Sequence, residues 1–309
     1  MNLVQKVLRI GILSLAGLLS ASLLMAKASP LPAGVKVVAD LPYGDAGEAN
    51  WLDIYSPENA TGPLPLVIWI HGGGWANGDK SPSPQFLQLV PRGFAVASIN
   101  YRLSGQSPFP AQIEDCKAAV RWLRAHAKDY NLDPDRFGVW GLSAGGHLAA
   151  LLGTSGDVKE LEGNVGGHLE VSSRVQAVSD YAGPTDLSQF WAQAGEDNVF
   201  WKTKGDTYFD RLFGKGSLED HPELIARANP INFISTDDPP FQIFHGVKDV
   251  LVPIGQAEIF VAALKAKGVD CEYTPLPTLG HGFGQLQYRE TFAFFEKHLQ
   301  KGAAPVAPR

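Results

Sequence analysis

Short runs of apolar residues alternate with amphipathic segments along most of the chain. Eight runs predict β-strands, and several lack polar residues, as do parallel strands that are buried on both faces of a sheet. These runs are Val35–Ala39, Trp51–Tyr55, Leu64–Ile70, Phe94–Ile99, Phe137–Trp140, Val175–Tyr181, Phe241–Phe244 and Cys271–Thr274. The segments that predict helices are Pro84–Val90, Ala111–His126, Ala144–Gly153, Pro253–Lys267 and Tyr288–Gln300. The alternation predicts an α/β fold with a mostly parallel, eight-stranded sheet flanked by helices.

The alternation stops at residues 184–236, where no clear strand pattern occurs and aromatic residues are concentrated. Seven of them fall within 24 residues: Phe190, Trp191, Phe200, Trp201, Tyr208, Phe209 and Phe213. Because a compact domain seldom contains a bare loop of this length, we expect a small helical insertion here. Its rings either fasten the insertion to the body or line an apolar pocket, for which Phe190 and Trp191 are our candidates.

The N-terminus has the order of regions found in a secretory signal peptide. Lys6 and Arg9 precede an uncharged, Leu-rich run from Ile10 to Ala26, which ends at the small-x-small pattern Ala26-Lys27-Ala28. A retained membrane anchor is the alternative, because the run is at the short edge of spanning length. We expect cleavage after Ala28, and hence an exported protein, periplasmic or secreted, with no stable membrane anchor.

Composition and charge exclude several classes of protein. The 309 residues are 45% hydrophobic and 19% charged with two cysteines, which argues against a disulfide scaffold, a disordered chain and a coiled coil. Cleavage would leave 281 residues and change the net charge from −6 to −9, which disfavours a nucleic-acid partner. We interpret Cys116 and Cys271 as free buried thiols, with a disulfide between them as the alternative.

The strongest local signal is Gly141-Leu142-Ser143-Ala144-Gly145, between a predicted strand and a predicted helix. A tight strand-to-helix turn exposes the hydroxyl of its central serine, and it requires small neighbouring residues. The start of the helix also offers free N–H groups and the positive end of a dipole to a developing anion. We therefore predict that Ser143 is a nucleophile.

A second glycine-rich motif, His71-Gly72-Gly73-Gly74-Trp75, follows the strand Leu64–Ile70. Successive glycines let the backbone approach a substrate closely and turn its N–H groups toward it. We predict an oxyanion hole formed by the N–H groups of Gly73, Gly74 and Ala144. Trp75 and Leu142, which flank these donors, are candidate substrate contacts.

A serine nucleophile needs a base and an acid that orients it. His281 lies in a glycine-flanked loop after the last strand, where a parallel sheet presents functional loops. Asp249 follows the strand Phe241–Phe244, and the chain order Ser143, Asp249, His281 is the one expected with a nucleophile on such a turn. Asp186 is the alternative acid, although its position fits a helix cap better.

Together these motifs resemble the α/β-hydrolase superfamily, in particular the bacterial esterase/lipase branch related to hormone-sensitive lipase and to secreted feruloyl and acetyl esterases. The likeness spans Leu52–His298 and includes Asn100-Tyr101-Arg102-Leu103 and Asp238-Pro239-Pro240-Phe241. The resemblance implies an α/β-hydrolase fold with a small helical cap, and a serine carboxylesterase for small-molecule or polysaccharide-linked esters. It implies no metal or organic cofactor. Hormone-sensitive lipase-like members carry a helical N-terminal cap, whereas a short strand-like segment precedes the glycine loop here, which favours the more open feruloyl/acetyl esterase-like group.

The predicted organisation is a signal peptide at residues 1–28, one catalytic domain at 29–301 and a flexible tail at 302–309. Short-chain acyl esters, acetylated sugars and feruloyl esters all fit the predicted chemistry. The same three residues could instead cleave amides or peptides, or transfer acyl groups to an acceptor other than water. A non-catalytic binding protein with this fold is the third alternative, although such proteins typically lack a member of the triad.

Overall fold

A computed structural model of the protein describes residues 31–300, apart from residues 157, 196, 197 and 217. The predicted signal peptide and flexible tail lie outside the described residues. Within the described residues, eight strands form one sheet. They are β1 (Val35–Pro42), β2 (Trp51–Pro57), β3 (Leu64–Ile70), β4 (Ala95–Ile99), β5 (Leu132–Leu142), β6 (Ala177–Tyr181), β7 (Phe241–Gly246) and β8 (Cys271–Leu276).

The strands lie in the order β1-β2-β4-β3-β5-β6-β7-β8. β2 pairs antiparallel with both β1 and β4, and all other neighbours are parallel, which confirms the predicted sheet. β5 begins earlier than the apolar pattern indicated, because Leu132 pairs with Leu64 of β3. The residues that follow, Asp133-Pro134-Asp135-Arg136, include three charged side chains, and none of the four is buried, so the apolar pattern does not reveal this part of the strand.

Helices cover both faces of the sheet. They are α1 (Pro84–Leu87), α2 (Ala111–Ala125), α3 (Ala144–Thr154), α4 (Phe190–Ala194), α5 (Val199–Phe213), α6 (Pro222–Ala228), α7 (Gly255–Ala266) and α8 (Gln285–Leu299). On one face, Gly153 of α3 lies against Val178 of β6, and Phe260 of α7 packs on Phe241. On the opposite face, the indole of Trp140 in β5 contacts Phe292 of α8.

The segment between β6 and β7 contains α4, α5, α6 and short 3-10 turns, and its described residues form no strand. Its rings pack on one another: the Phe190 and Trp201 centroids are 5.0 Å apart, and those of Trp201 and Phe209 are 5.4 Å apart. Phe209 also contacts Trp75 of the glycine loop, with centroids 6.1 Å apart. The segment is therefore attached to the body through aromatic contacts.

Two further expectations concern cysteines and membranes. Cys116 is buried on α2 and Cys271 is half-buried in β8, and both are free thiols. Burial raises the pKa of the Cys271 thiol to about 12, so this thiol is protonated at neutral pH.

Within the described part of the chain, no helix has the length and apolar character needed to cross a bilayer.

Candidate active site

Ser143 occupies the turn between β5 and α3, in a backbone conformation that is rare for residues other than glycine. Its φ is 59° and its ψ is −121°. Such a geometry persists only where the surrounding structure enforces it. Here the Ser143 N–H donates to the Tyr181 carbonyl oxygen of β6 at 2.7 Å, and its carbonyl accepts from the N–H of His147 at 2.9 Å. The turn thus holds the hydroxyl at the start of α3.

Two glycines of this turn are required because backbone atoms occupy the space of a side chain. A Cβ on Gly141 would lie 2.0 Å from the carbonyl oxygen of Gly145. A Cβ on Gly145 would lie 2.1 Å from the carbonyl oxygen of Ile70, the last residue of β3. The sequence pattern therefore reflects a close approach between the turn at Ser143 and the neighbouring strand β3.

The loops after β7 and β8 bring Asp249 and His281 together. His281 Nδ1 lies 2.6 Å from Asp249 Oδ2. The other carboxylate oxygen, Oδ1, accepts hydrogen bonds from the N–H groups of Leu251 at 2.8 Å and Val252 at 3.0 Å. Both carboxylate oxygens of Asp249 therefore accept hydrogen bonds, and these bonds fix the orientation of the carboxylate.

Electrostatics keeps Asp249 ionised although its carboxylate is fully buried. Burial alone would raise its pKa, but the interactions with His245 and His281 outweigh burial and hold the pKa well below its usual range. His245 is itself buried, and its Nε2 lies 2.8 Å from the Val252 carbonyl oxygen and 3.5 Å from Asp249 Oδ2. The site thus places a permanent negative charge behind the His281 ring.

Asp186, the alternative acid, has a different set of partners. Its carboxylate accepts hydrogen bonds from the backbone N–H of Ser188 and from the side chains of Gln189 and Asn229. It caps the short 3-10 turn that begins at Leu187. The structure therefore joins Asp249 to His281, and it uses Asp186 to fix the start of the insertion.

The glycine loop after β3 adopts conformations that suit only glycine at two positions. Gly73 has a φ of 110°, and a Cβ there would lie 2.1 Å from the Asn77 carbonyl oxygen. Gly74 has a φ of 59°, and the Tyr208 ring fills the space of its missing side chain. Among the described residues, none accepts a hydrogen bond from the N–H groups of Gly73, Gly74 or Ala144. These groups are therefore available to a ligand.

A cavity of about 360 Å³ lies over these residues and brings most of the predicted site together. Ser143 and His281 both line it, as do the three residues of the predicted oxyanion hole. Its remaining wall is largely apolar, formed by Gly72, Trp75, Leu142, Pro184, Phe190, Phe200, Trp201, Tyr208, Phe209, Leu251 and Val252. The cavity can therefore receive a small apolar group beside the Ser143 hydroxyl.

Comparison with known proteins identifies the family. The BD-FAE family model matches residues 52–264, which is more than half of the chain. The chain belongs to the BD-FAE family. This assignment confirms the resemblance to the α/β-hydrolase esterase/lipase branch that has feruloyl and acetyl esterase-like relatives.

Curated relatives and solved structures agree with the family assignment. Esterase LipQ of Mycobacterium tuberculosis is 34% identical over 250 residues, which cover 79% of this chain and 57% of LipQ. A truncated carbohydrate esterase from gut microbiota is 32% identical, with a TM-score of 0.78 over 86% of this chain and 97% of that one. A bifunctional GH43-CE protein of Bacteroides eggerthii is 36% identical, with a TM-score of 0.76 over 84% and 35% of the two chains. The α/β-hydrolase fold is thereby confirmed.

The chain spans little more than half of the length of LipQ and of two further mycobacterial esterases, LipM and LipC.

The residues that line the cavity differ in part from those predicted from the sequence. Trp191 does not line the cavity described above; it packs against Phe190 and Phe209 and borders a separate cavity that contains Asp186. The short helix α4 turns the consecutive rings of Phe190 and Trp191 to different sides, so Phe190 faces this cavity and Trp191 does not. Leu251 and Val252 carried no sequence signal, because they are ordinary apolar residues in the loop that also holds Asp249.

Proposed function

We propose that the protein hydrolyses carboxylic esters by two-step acyl transfer. Ser143 is the nucleophile, His281 is the general base and Asp249 orients the imidazole. The observation that carries the proposal is the 2.6 Å contact between His281 Nδ1 and a buried carboxylate, with Ser143 and His281 lining the same cavity. This contact fixes the proton on Nδ1, so that Nε2 is free to accept the proton of the serine hydroxyl.

Formation and breakdown of the acyl-enzyme follow from these positions. His281 takes the Ser143 proton as the oxygen attacks the ester carbonyl, and the N–H groups of Gly73, Gly74 and Ala144 stabilise the oxyanion. His281 then gives the proton to the departing alcohol oxygen as the ester bond breaks. Water repeats the sequence on the acyl-enzyme, which releases the carboxylic acid and restores the serine.

The apolar wall supports a preference for short or aromatic acyl groups. Phe190, Trp201 and Phe209 surround the space beside Ser143 and offer no charged partner to an acyl chain. We infer that the alcohol departs toward the solvent-exposed side of the cavity, and that this alcohol is a small molecule or an esterified sugar of a polysaccharide. We therefore propose acetylated sugars and feruloyl esters, together with simple short-chain esters, as the substrate class.

The organisation of the whole protein completes this proposal. Residues 29–301 act as one catalytic domain with its insertion at 184–236, after export has removed residues 1–28. The acidic character of the remaining chain and the apolar cavity both suit an exported enzyme that acts on neutral esters.

A substrate panel tests the proposal. The full-length protein and its Ser143→Ala variant are assayed on nitrophenyl acetate, butyrate and octanoate, on methyl ferulate, on acetylated xylan and on the matched nitroanilides. We expect hydrolysis of acetate or ferulate esters that the variant lacks. Dominant cleavage of the anilides would replace the ester assignment by an amidase, and unchanged hydrolysis by Ser143→Ala would exclude the mechanism.

The pocket wall is tested separately with Phe190→Ala. This variant removes a ring that is 1% exposed and faces the cavity, so it should extend activity to longer acyl chains. Trp191→Ala is the control, because its ring borders another cavity. If both variants lower only the melting temperature and leave the chain-length profile unchanged, the rings do not form the acyl pocket.

A further inference from the structure

A buried histidine links the glycine loop to the nucleophile helix. The Trp75 indole N–H donates a hydrogen bond to Nδ1 of His147 at 3.1 Å. His147 lies one turn into α3, and its Nε2 is 2.7 Å from the carbonyl oxygen of Ala228, the last residue of α6. The His147 side chain has no exposed surface. Three elements around the candidate site therefore meet at one imidazole.

The partners of His147 determine its protonation state. An indole N–H can only donate, so Nδ1 must be an unprotonated acceptor. A carbonyl oxygen can only accept, so Nε2 must carry the proton. The imidazole is therefore neutral and held in a single tautomer. Burial acts in the same direction and lowers the pKa of His147 to about 4.

Trp75 needs such an anchor because its backbone is strained. Its φ is 57°, a left-handed conformation that is uncommon for a bulky residue and that persists only where tertiary contacts enforce it. Trp75 directly follows Gly74, whose N–H group belongs to the proposed oxyanion hole. A shift of the Trp75 side chain would therefore pass through one peptide unit to the oxyanion donors.

We propose that His147 is a positioning residue that holds the Gly73–Gly74 donors in place through its hydrogen bond with Trp75. The inference rests on the proposed esterase function and adds a residue that does not touch the reacting atoms. Because Ala228 belongs to the insertion, His147 also connects the insertion to the oxyanion hole. A packing role alone would depend on the shape of the ring, whereas this role depends on the acceptor at Nδ1.

Two substitutions separate these roles, because each keeps one of the two hydrogen bonds. In His147→Asn, the side-chain amide oxygen can take the place of Nδ1 and still accept from Trp75, while the bond to Ala228 is lost. In His147→Gln, the longer side chain can donate to Ala228 from the position of Nε2, while Trp75 loses its acceptor. Each variant is thus the matched control of the other.

The expected result is a difference in kcat between variants of similar stability. His147→Gln should lower kcat about 10- to 100-fold with little change in KM, because the displaced donors act on the oxyanion. His147→Asn should stay within about threefold of the wild-type kcat, since it retains the Trp75 contact. Binding of a trifluoromethyl ketone, whose tetrahedral adduct occupies the oxyanion hole, should weaken only in His147→Gln.

A double-mutant cycle and a control substitution far from the site complete the test. Trp75→Phe removes the donor, so the double variant with His147→Gln should lose no more kcat than the more impaired single variant. Thr154→Val removes a hydrogen bond to Ala150 at the far end of α3 and should leave kcat unchanged. Equal losses of kcat in His147→Asn and His147→Gln, or losses that follow the melting temperature, would overturn the inference.

The proposed function is tested in the same series by Ser143→Ala. If Ser143→Ala is inactive and the two His147 variants nevertheless behave alike, only the role of His147 is overturned. If Ser143→Ala remains active, the proposed function fails, and the inference about the oxyanion hole fails with it.

Discussion

Replacing Asp249 with asparagine alters one atom of the site, and the structure fixes where that atom goes. Oδ1 accepts two backbone N–H groups, from Leu251 and Val252, whereas Oδ2 faces His281 Nδ1. An asparagine NH2 at the Oδ1 position would oppose two donors, each costing about 1–3 kcal/mol if left unpaired. The NH2 group therefore takes the Oδ2 position and donates to His281.

With the asparagine in this orientation, His281 adopts the tautomer that cannot act as a base toward Ser143. Because the new NH2 group can only donate, His281 Nδ1 must accept, and the proton moves to Nε2, where it blocks transfer from Ser143. A wrong tautomer of this kind lowers kcat about 10⁴-fold in a serine triad. That factor corresponds to about 5 kcal/mol of lost transition-state stabilisation.

The assay compares kcat for nitrophenyl acetate in the wild type, Asp249→Asn and Asp249→Ala, with circular dichroism as a check on folding. We expect Asp249→Asn to be at least as impaired as Asp249→Ala, although asparagine has nearly the shape of aspartate. The alanine variant leaves His281 free to adopt either tautomer. A folded Asp249→Asn enzyme with kcat within about tenfold of the wild type would refute the assigned role of Asp249.

Three further predictions concern other parts of the molecule. Gly145→Ala should destabilise the fold by at least about 3 kcal/mol in urea unfolding, because its Cβ would meet the β3 backbone. Gly62→Ala is the control, because the space around Gly62 is open. Equal stabilities of the two variants would contradict the prediction. Trp201→Phe keeps a ring in the cavity but loses the donor to the Leu251 carbonyl at 2.7 Å, so kcat should fall about tenfold. An unchanged kcat would show that this hydrogen bond does not affect catalysis. Burial raises the pKa of Asp180 to about 6, so the folded protein binds a proton at this carboxyl more tightly than the unfolded chain does. The free energy of unfolding should therefore fall as the pH rises from about 4 through 6. Asp180→Asn should flatten this pH dependence of the urea midpoint, and an unaltered dependence would show that Asp180 is not its source.

Local chain geometry explains which features could be predicted from the sequence. The turn at Ser143 requires small residues at fixed neighbouring positions, so its pattern is visible in five consecutive letters. The strands of the parallel core are continuous apolar runs, and seven of the eight lie close to their predicted bounds. β5 is the exception, because its first residue, Leu132, is followed by four residues that are neither apolar in pattern nor buried.

Contacts between distant segments carried no such pattern. The bonds from Trp75 to His147 and from Trp201 to Leu251 join residues that are 72 and 50 positions apart. Which ring of the insertion faces the cavity depends on the direction of short helices, so Phe190 and Trp191 could not be distinguished from their order. The pocket wall and the support of the oxyanion hole were visible only in the fold.

The central claim is that Ser143 carries the acyl group during turnover. Mass spectrometry of peptides from enzyme quenched during the hydrolysis of nitrophenyl acetate tests it directly. We predict that the peptide containing Ser143 gains the mass of one acetyl group, and that Ser143→Ala shows neither this adduct nor hydrolysis. Acetylation at another residue, or turnover by Ser143→Ala at the wild-type rate, would contradict the mechanism.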